Sequence, residues 1–414
     1  MNSTSVLLRV RNEGPYLIEW IAHHLALGFD DIAIVHNEND DGSTGLLQIF
    51  ENHGICRHFE SPDYSEGGAV LTPGQRAVRT IKENRAFSES KWLYTADADE
   101  LLILKQHKNI AEFLGDHEGS DQVILSWDLF VPDLESSRFE QNFDMRKRFR
   151  TVTDDYSFIK SLSRIDKYPE NIAPHRIIGK SRRTTLPNGK SIDPASLKLA
   201  NGKNQFDEEI ENQLAEGKTG ASLYHYRFKS ATEFCMRQLR GVAGPYSLKN
   251  NGMLFVNTLR SDPASLRKID PKSGSPGINR VDEQAKKLLA LPGVEETQER
   301  VNSGYLRQCR EIEDRSLTYQ FILGYLDDPD EFSAIETALQ LLKDNPKSSE
   351  MLWLAAFCHR HEKHYEQAYR LSMQAIEQTP KHTQHHNRFV ENMRKLALRD
   401  KPRASLVSRI FSKK

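Results

Sequence analysis

Between Val6 and Val131 short apolar runs alternate with helix-spaced segments, and no other feature restricts the architecture of this chain as much. Strand and helix taking turns in that order build a βαβ sheet. Residues 6–10 predict a first buried strand. Pro15 then stands where a first helical turn tolerates it; Leu17, Trp20, Ile21 and His24 recur at helical spacing, and Gly28 closes the segment. A strand over 31–36 leads into the turn cluster Asp40, Asp41, Gly42, Ser43, followed by a helix over 46–52 and a third strand over 55–59. After a Gly-rich loop at 66–74 come a helix over 75–88, a strand ending at Asp97, and a fifth apolar run over 123–131 closed by Pro132.

The strand before Asp97 carries the chemistry. In KWLYTADADE, residues 91–100, the apolar Trp92, Leu93 and Tyr94 deliver Asp97 and Asp99 to a strand end, where open α/β sheets gather their ligands. Mg²⁺ or Mn²⁺ is typically held by one or two carboxylates together with phosphate oxygens, so this pair suits a metal shared with a diphosphate. Asp328 and Asp330 have the same spacing but follow no apolar strand, and they read as a solvated turn.

Lys plus Arg number 57 against 58 Asp plus Glu, which leaves no global field for nucleic acid. The four cysteines, Cys56, Cys235, Cys309 and Cys358, are dispersed without a C-x-x-C pair, a usage that fits a reducing cytoplasm. Arg9 and Arg11 interrupt the first apolar run, so no signal peptide is expected at 1–10, and no segment reaches the ~18 apolar residues of a membrane span. A cytoplasmic location, with peripheral contact at the inner face of a membrane, is the expectation.

Taken together, RNEGPYLIEWIAHHLALGF (11–29), HNENDDGST (36–44), Gln75-Arg76 and TADADE resemble the family 2-like glycosyltransferases of GT-A fold, in the bacterial branch related to family 92. The resemblance implies an α/β, Rossmann-like mixed sheet. It also implies transfer of a sugar from a nucleotide diphosphate donor to a glycan, lipid-linked or other hydroxyl acceptor, with inversion and with a divalent metal, Mn²⁺ or Mg²⁺. On this reading Arg11, Asn12 and Glu13 face the nucleotide, Asp40 or Asp41 holds the base, with Asp41 ranked first, and Gln75 and Arg76 lie on the donor side. Asp99 is the direct metal ligand, and Asp97 reaches ribose or metal. The later LYHYRFKSATEF, closed by QLRG over 238–241, is similar to the family's carboxyl-terminal signature. It offers His225 to the metal and Lys229 to the leaving diphosphate. His175 is a second candidate ligand, whereas His23 and His24 on the first helix read as structural. The acceptor's general base stays open between Asp128 and Asp133.

Each assignment has a plainer counterpart: helix-entry chemistry for residues 11–13, an ordinary turn for 40–43, a solvated helix arginine for Arg76, a packed histidine for His225. The expected layout is a GT-A-like domain over 1–260 with a loop insert at 187–220, a loop and helical connection over 261–327, an all-α helical-repeat region over 328–400 and a basic tail over 401–414. Pro346 and Pro380 lie 34 residues apart, as do Ala334 and Ala368, and with Ala356 and Ala375 they resemble a short tetratricopeptide array, a platform for a protein partner. The tail, KPRASLVSRIFSKK, sets basic and apolar residues at helical spacing suited to an anionic membrane surface, or frays as a basic terminus. Two rivals to the transferase are a nucleotide-sugar-binding scaffold working through the repeat and a nucleotidyltransferase.

Overall fold

The computed structural model describes residues 3–37, 39–62, 65–66, 69–71, 73–167, 182–197, 199–200, 203–204, 206–239, 252–270, 272–378 and 384–400. His175, Arg240, Gly241, Pro380 and the basic tail lie outside them. The chain forms two units: one of residues 1–136, 140–229 and 262–307, the other of residues 137–139, 230–261 and 308–414.

The first unit is α/β, as the alternation predicts. Strand β1 (Thr4–Val10) leads to helix α1 (Gly14–Leu27), β2 (Asp31–His36), α2 (Ser43–Asn52), β3 (Arg57–Glu60), α3 (Pro73–Glu83) and β4 (Trp92–Asp97). Beyond these come β5 (Glu100–Leu104), β6 (Gln122–Phe130), β7 (Thr151–Arg164) and β8 (Ala221–His225). In the main sheet the order is β3-β2-β1-β4-β7-β6-β8-β5, with Thr184–Thr185 added on β6 and Arg267–Lys268 on β7. Strands β1 to β4 are mutually parallel, and β6 and β8 are parallel to each other. Between β4 and β6 runs β7, antiparallel to both, which makes the sheet mixed. Because β7 reverses direction twice over, the carboxyl ends of β1, β2, β3, β4, β6 and β8 all emerge at one edge.

Local chemistry explains the boundaries. Gly28 ends α1 in the left-handed conformation, φ 88°, and its N–H bonds back into the helix. Asp41 binds both helix starts at once: Oδ2 accepts the Gly14 N–H at 2.9 Å, while Oδ1 accepts the Ser43 N–H at 3.0 Å. Beneath β1, β2 and β4 the side chains of Leu7, Ala33, Val35 and Leu93 pack against Ala77, Ile81 and Phe87 from the α3 side.

The stretch over 187–220, expected as a loop insert, is partly built. Asp207 caps a helix, Glu208–Gly217, and Ile210 and Leu214 join Leu186, Ile192 and Leu197 on Ile124 and Ile159 of the sheet. The helix presents only Ile210, Leu214 and Gly217 to the core, too few apolar positions for the sequence to show a period. Residues 262–307 belong to the sheet unit: the Arg280 guanidinium, on helix Ile278–Leu289, donates to the Ala26 carbonyl at 2.6 Å, and Tyr305 meets the Tyr16 hydroxyl at 2.9 Å.

The second unit is helical among its described residues. Ser316, Ser333 and Ser348 each cap a helix with the side-chain oxygen. Leu352, Trp353 and Ala356 of Ser349–His361 pack with Ala368 and Ala375 of Tyr365–Gln378 and with Phe389 and Met393 of Gln384–Asp400. All three alanines are fully buried, so the helices approach closely.

Gly14 is the tightest point of the first crossover. A Cβ there would stand 2.5 Å from Val301 Cγ1 and 2.9 Å from Asp41 Oδ2. Gly14→Ala is therefore expected to lower unfolding free energy by about 1–3 kcal/mol in urea titration.

Candidate functional site

Strand register sets part of the functional face: Arg9 is the register partner of Asp97, and Glu100 of His225. Lys160 of β7 joins them through its ion pairs with Asp97 and Glu100, so the group draws on five strands. Asp99 sits in the tight turn between β4 and β5, its carbonyl fixed by the Tyr226 N–H at 2.8 Å. The Asp97 carbonyl accepts from Trp20 Nε1 at 3.2 Å, and the Asp97 N–H donates to Glu100 Oε2 at 3.0 Å. The acidic turn is thus held on three sides before its carboxylates act.

Each oxygen of Asp97 has its own cation. Arg9 Nη2 stands 2.7 Å from Oδ1 and Lys160 Nζ 3.0 Å from Oδ2. Lys160 reaches Glu100 Oε2 as well, at 3.1 Å, with 1% of its side chain exposed and none of that of Glu100. Burial alone would raise the Asp97 carboxyl, but Lys160 and Arg9 together drag it well below the usual carboxylate range. Glu100 goes the other way: burial raises it, and Lys160 offsets only part of the rise. Its Oε1 is buried without a hydrogen-bond partner. Burial likewise works against the Lys160 charge, yet Asp97 and Glu100 leave it raised above an ordinary lysine.

Next to this network His225 Nε2 lies 3.7 Å from Asp99 Oδ2, and the Trp127 ring packs against the imidazole at 4.3 Å. His225 Nδ1 is buried and unpartnered. The structure therefore brings together two of the three metal ligands expected from sequence and engages the third, Asp97, with protein cations. Among the described residues no three His, Cys, Asp or Glu side chains converge as a ready-made metal nest. A carboxylate and an imidazole nonetheless suit an ion whose remaining ligands are phosphate oxygens.

The nucleotide candidates cluster at the ends of β1 and β2. Asn12, left-handed at φ 55°, donates from Nδ2 to Asp40 Oδ1 at 2.5 Å and accepts the Asp40 N–H at 2.9 Å. Both Asp41 oxygens are committed to the helix starts, whereas Asp40 is exposed. Arg11 is exposed on the same turn. Lys229 Nζ lies 3.4 Å from Glu13 Oε2 and 3.4 Å above the Tyr16 ring, so the later motif folds back on the first one. On α3 Gln75 is exposed and Arg76 buried.

The two acceptor-base candidates are placed differently. Asp128 stands one residue from Trp127 and faces the other side of the sheet, paired with Arg267 and, at 3.2 Å, with Lys218. It is not brought to Asp99. Asp133 follows the carboxyl end of β6, with Lys268 2.9 Å from Oδ2 and the Ser136 N–H on Oδ1. Burial would raise it, but Lys268 and Ser136 hold it down to about 2.

Sequence reasoning missed Arg9 and Lys160. Arg9 stands in a strand otherwise apolar over 6–10, and a lone cation inside such a run is the trace it left.

The fold is thus an α/β sheet with a charged strand-end site, and comparison with known proteins adds a limited kinship. No family model matches the chain. Over 108 residues it is 30% identical to a glycosyltransferase family 92 protein of Ricinus communis, a stretch amounting to 26% of this chain and 17% of that protein. Among solved structures, S. aureus TarS 1–349 aligns over 95% of this chain and 91% of its own at 10% identity and TM-score 0.27; its complex with UDP gives 13% identity and TM-score 0.24 over the same shares. UDP-glucose pyrophosphorylase complexed with UDP-glucose aligns over 55% of this chain and 90% of its own, at 10% identity and TM-score 0.23. Likenesses this remote carry nothing to individual residues.

The Asp97 cluster sets an acid limit on stability. Because its folded pKa is depressed, its contribution is present above the unfolded carboxylate range near pH 4 and is lost as pH falls further. With 31% of the side chain exposed, Asp97→Asn is expected to cost about 1–3 kcal/mol at pH 7. The gap from wild type should narrow on acidification below about pH 4 in parallel urea titrations.

Proposed function

We propose that this chain transfers a sugar from a nucleotide diphosphate donor to a hydroxyl acceptor. The observation that carries the reading is the meeting of Asp99 and His225 at 3.7 Å beside the charged turn, at the edge where the ordered motifs of β1, β2 and β4 also end. Family kinship over 108 residues supports the same class.

In this reading Asp99 and His225 hold a divalent ion, Mn²⁺ suiting the imidazole better than Mg²⁺. Such an ion, when bound, stabilises the negative charge that grows on the departing diphosphate more than it stabilises the ground state. Arg11 offers a guanidinium to the phosphates and Lys229 a fixed ammonium. Asp40, oriented by Asn12, is the acceptor for donors on the base. Trp127 packs against the His225 ring and supports its orientation. Inversion at the sugar carbon calls for a carboxylate at the strand-end edge; Asp133 is on that edge, and it serves once Lys268 is displaced. The helical unit, with its close-packed alanines, supplies a surface for a glycan, lipid-linked or protein partner.

Release of UDP, GDP or CMP from a panel of nucleotide sugars, with and without Mn²⁺, tests the proposal. One nucleotide should be released by wild type in the presence of metal, and Asp99→Ala should lose at least about 100-fold in rate while keeping its fold by circular dichroism. A folded Asp99→Ala variant of full activity would remove the metal role. Donor binding without turnover, even with cell-extract acceptors, would favour the scaffold.

A further inference from the structure

The feature of this site that the transferase reading leaves unused is its pair of built-in cations. Asp97 has Arg9 on one oxygen and Lys160 on the other, at 2.7 and 3.0 Å, and Lys160 also bridges to Glu100 at 3.1 Å. Lys160 belongs to β7, hydrogen-bonded on both sides in the middle of the sheet, and its side chain is 1% exposed. It cannot swing away without leaving a buried charge unpaired. Arg9, 27% exposed, is the looser of the two.

We infer that Arg9 and Lys160 are positioning residues that act as fixed counter-cations for Asp97, so that Asp99 and His225 take up the divalent ion together with the donor's diphosphate rather than ahead of it. The inference rests on the nucleotide-sugar reading above. Both oxygens of Asp97 and one oxygen of Glu100 are already matched by Arg9 and Lys160, which leaves Asp99 as the carboxylate of the turn without a cation of its own among these two. Divalent-ion affinity follows the charge and number of available ligands, so a site nearly neutralised by its own side chains holds a free ion weakly. A diphosphate adds both the missing negative charge and the missing oxygen ligands. Removing Lys160 would take away one of the two cations and release Asp97 Oδ2, converting a metal-and-nucleotide site into one that binds metal alone.

The experiment measures Mn²⁺ binding to the full chain by electron paramagnetic resonance, alone and with UDP, GDP or inorganic pyrophosphate, for wild type, Lys160→Met and Arg9→Gln. In wild type a diphosphate should tighten Mn²⁺ binding at least about tenfold; Lys160→Met should tighten binding of Mn²⁺ alone by about tenfold and shrink the gain from diphosphate. Arg9→Gln, at the more exposed position, should move both quantities the same way by a smaller factor, and it decides the matter if Lys160→Met does not fold. Wild type binding Mn²⁺ equally well with and without a diphosphate that itself binds would overturn the inference and leave the transferase reading standing. So would folded variants with unchanged Mn²⁺ affinity. Failure of every nucleotide diphosphate to bind wild type, with or without Mn²⁺, would instead sink the donor reading, and the inference with it.

Discussion

Asp97 stands between two cations, and the arrangement of the strand-end site depends on that clamp. Three carboxylates occur within residues 97–100, one of them on the fully buried Glu100, and such a concentration of negative charge is unstable at a protein edge unless it is compensated. Arg9 comes from the neighbouring parallel strand and Lys160 from the antiparallel one, so the clamp ties β1, β4 and β7 together through side chains as well as backbone. Glu100 occupies the dry end of the network, where burial pushes it toward the neutral form. The two carboxyls shift in opposite directions from the ordinary range because only Asp97 has two cations of its own.

A second clasp, made of neutral and acidic groups, organises the nucleotide end. The left-handed turn at Asn12 aims its amide at Asp40, and the exchange of two hydrogen bonds joins the loops after β1 and β2. Asp41 then fastens the starts of α1 and α2 to the same point. Two adjacent aspartates thereby serve different ends: one is consumed by helix termini, and the other keeps an exposed face.

Much of this was legible in the sequence. The order of β1 to β4 with α1 to α3 follows from apolar runs, Pro15, Gly28 and the turn residues at 40–43, because each of those signals is local. The placing of Asp99 at a strand end was legible for the same reason. What was hidden is non-local. Lys160 lies 63 residues beyond Asp97, in FIKSLSR, where a lysine in a strand resembles any solvent-facing charge. The central antiparallel β7 leaves no mark that tells it from an edge strand. Asp128 reads as a base candidate by its position on the fifth apolar run, and only the pleat shows that it points to the opposite face. The helix Glu208–Gly217 was obscured by a polar surface that outnumbers its three buried positions.

The insertion of β7 between β4 and β6 also fixes an order of events at the ribosome. The chain emits Asp97, Asp99 and Glu100 well before Lys160; at about 5–20 residues per second, those 63 residues take about 3–13 s. Over that interval the chain holds β1 and β4 but not β7, and Arg9 is the one cation of the clamp already made. A β1–β4 pair formed in that time would have unpaired strand groups and excess negative charge at the same place. Charge repulsion there discourages the edge-to-edge association that a bare strand invites, until β7 arrives and closes both gaps at once.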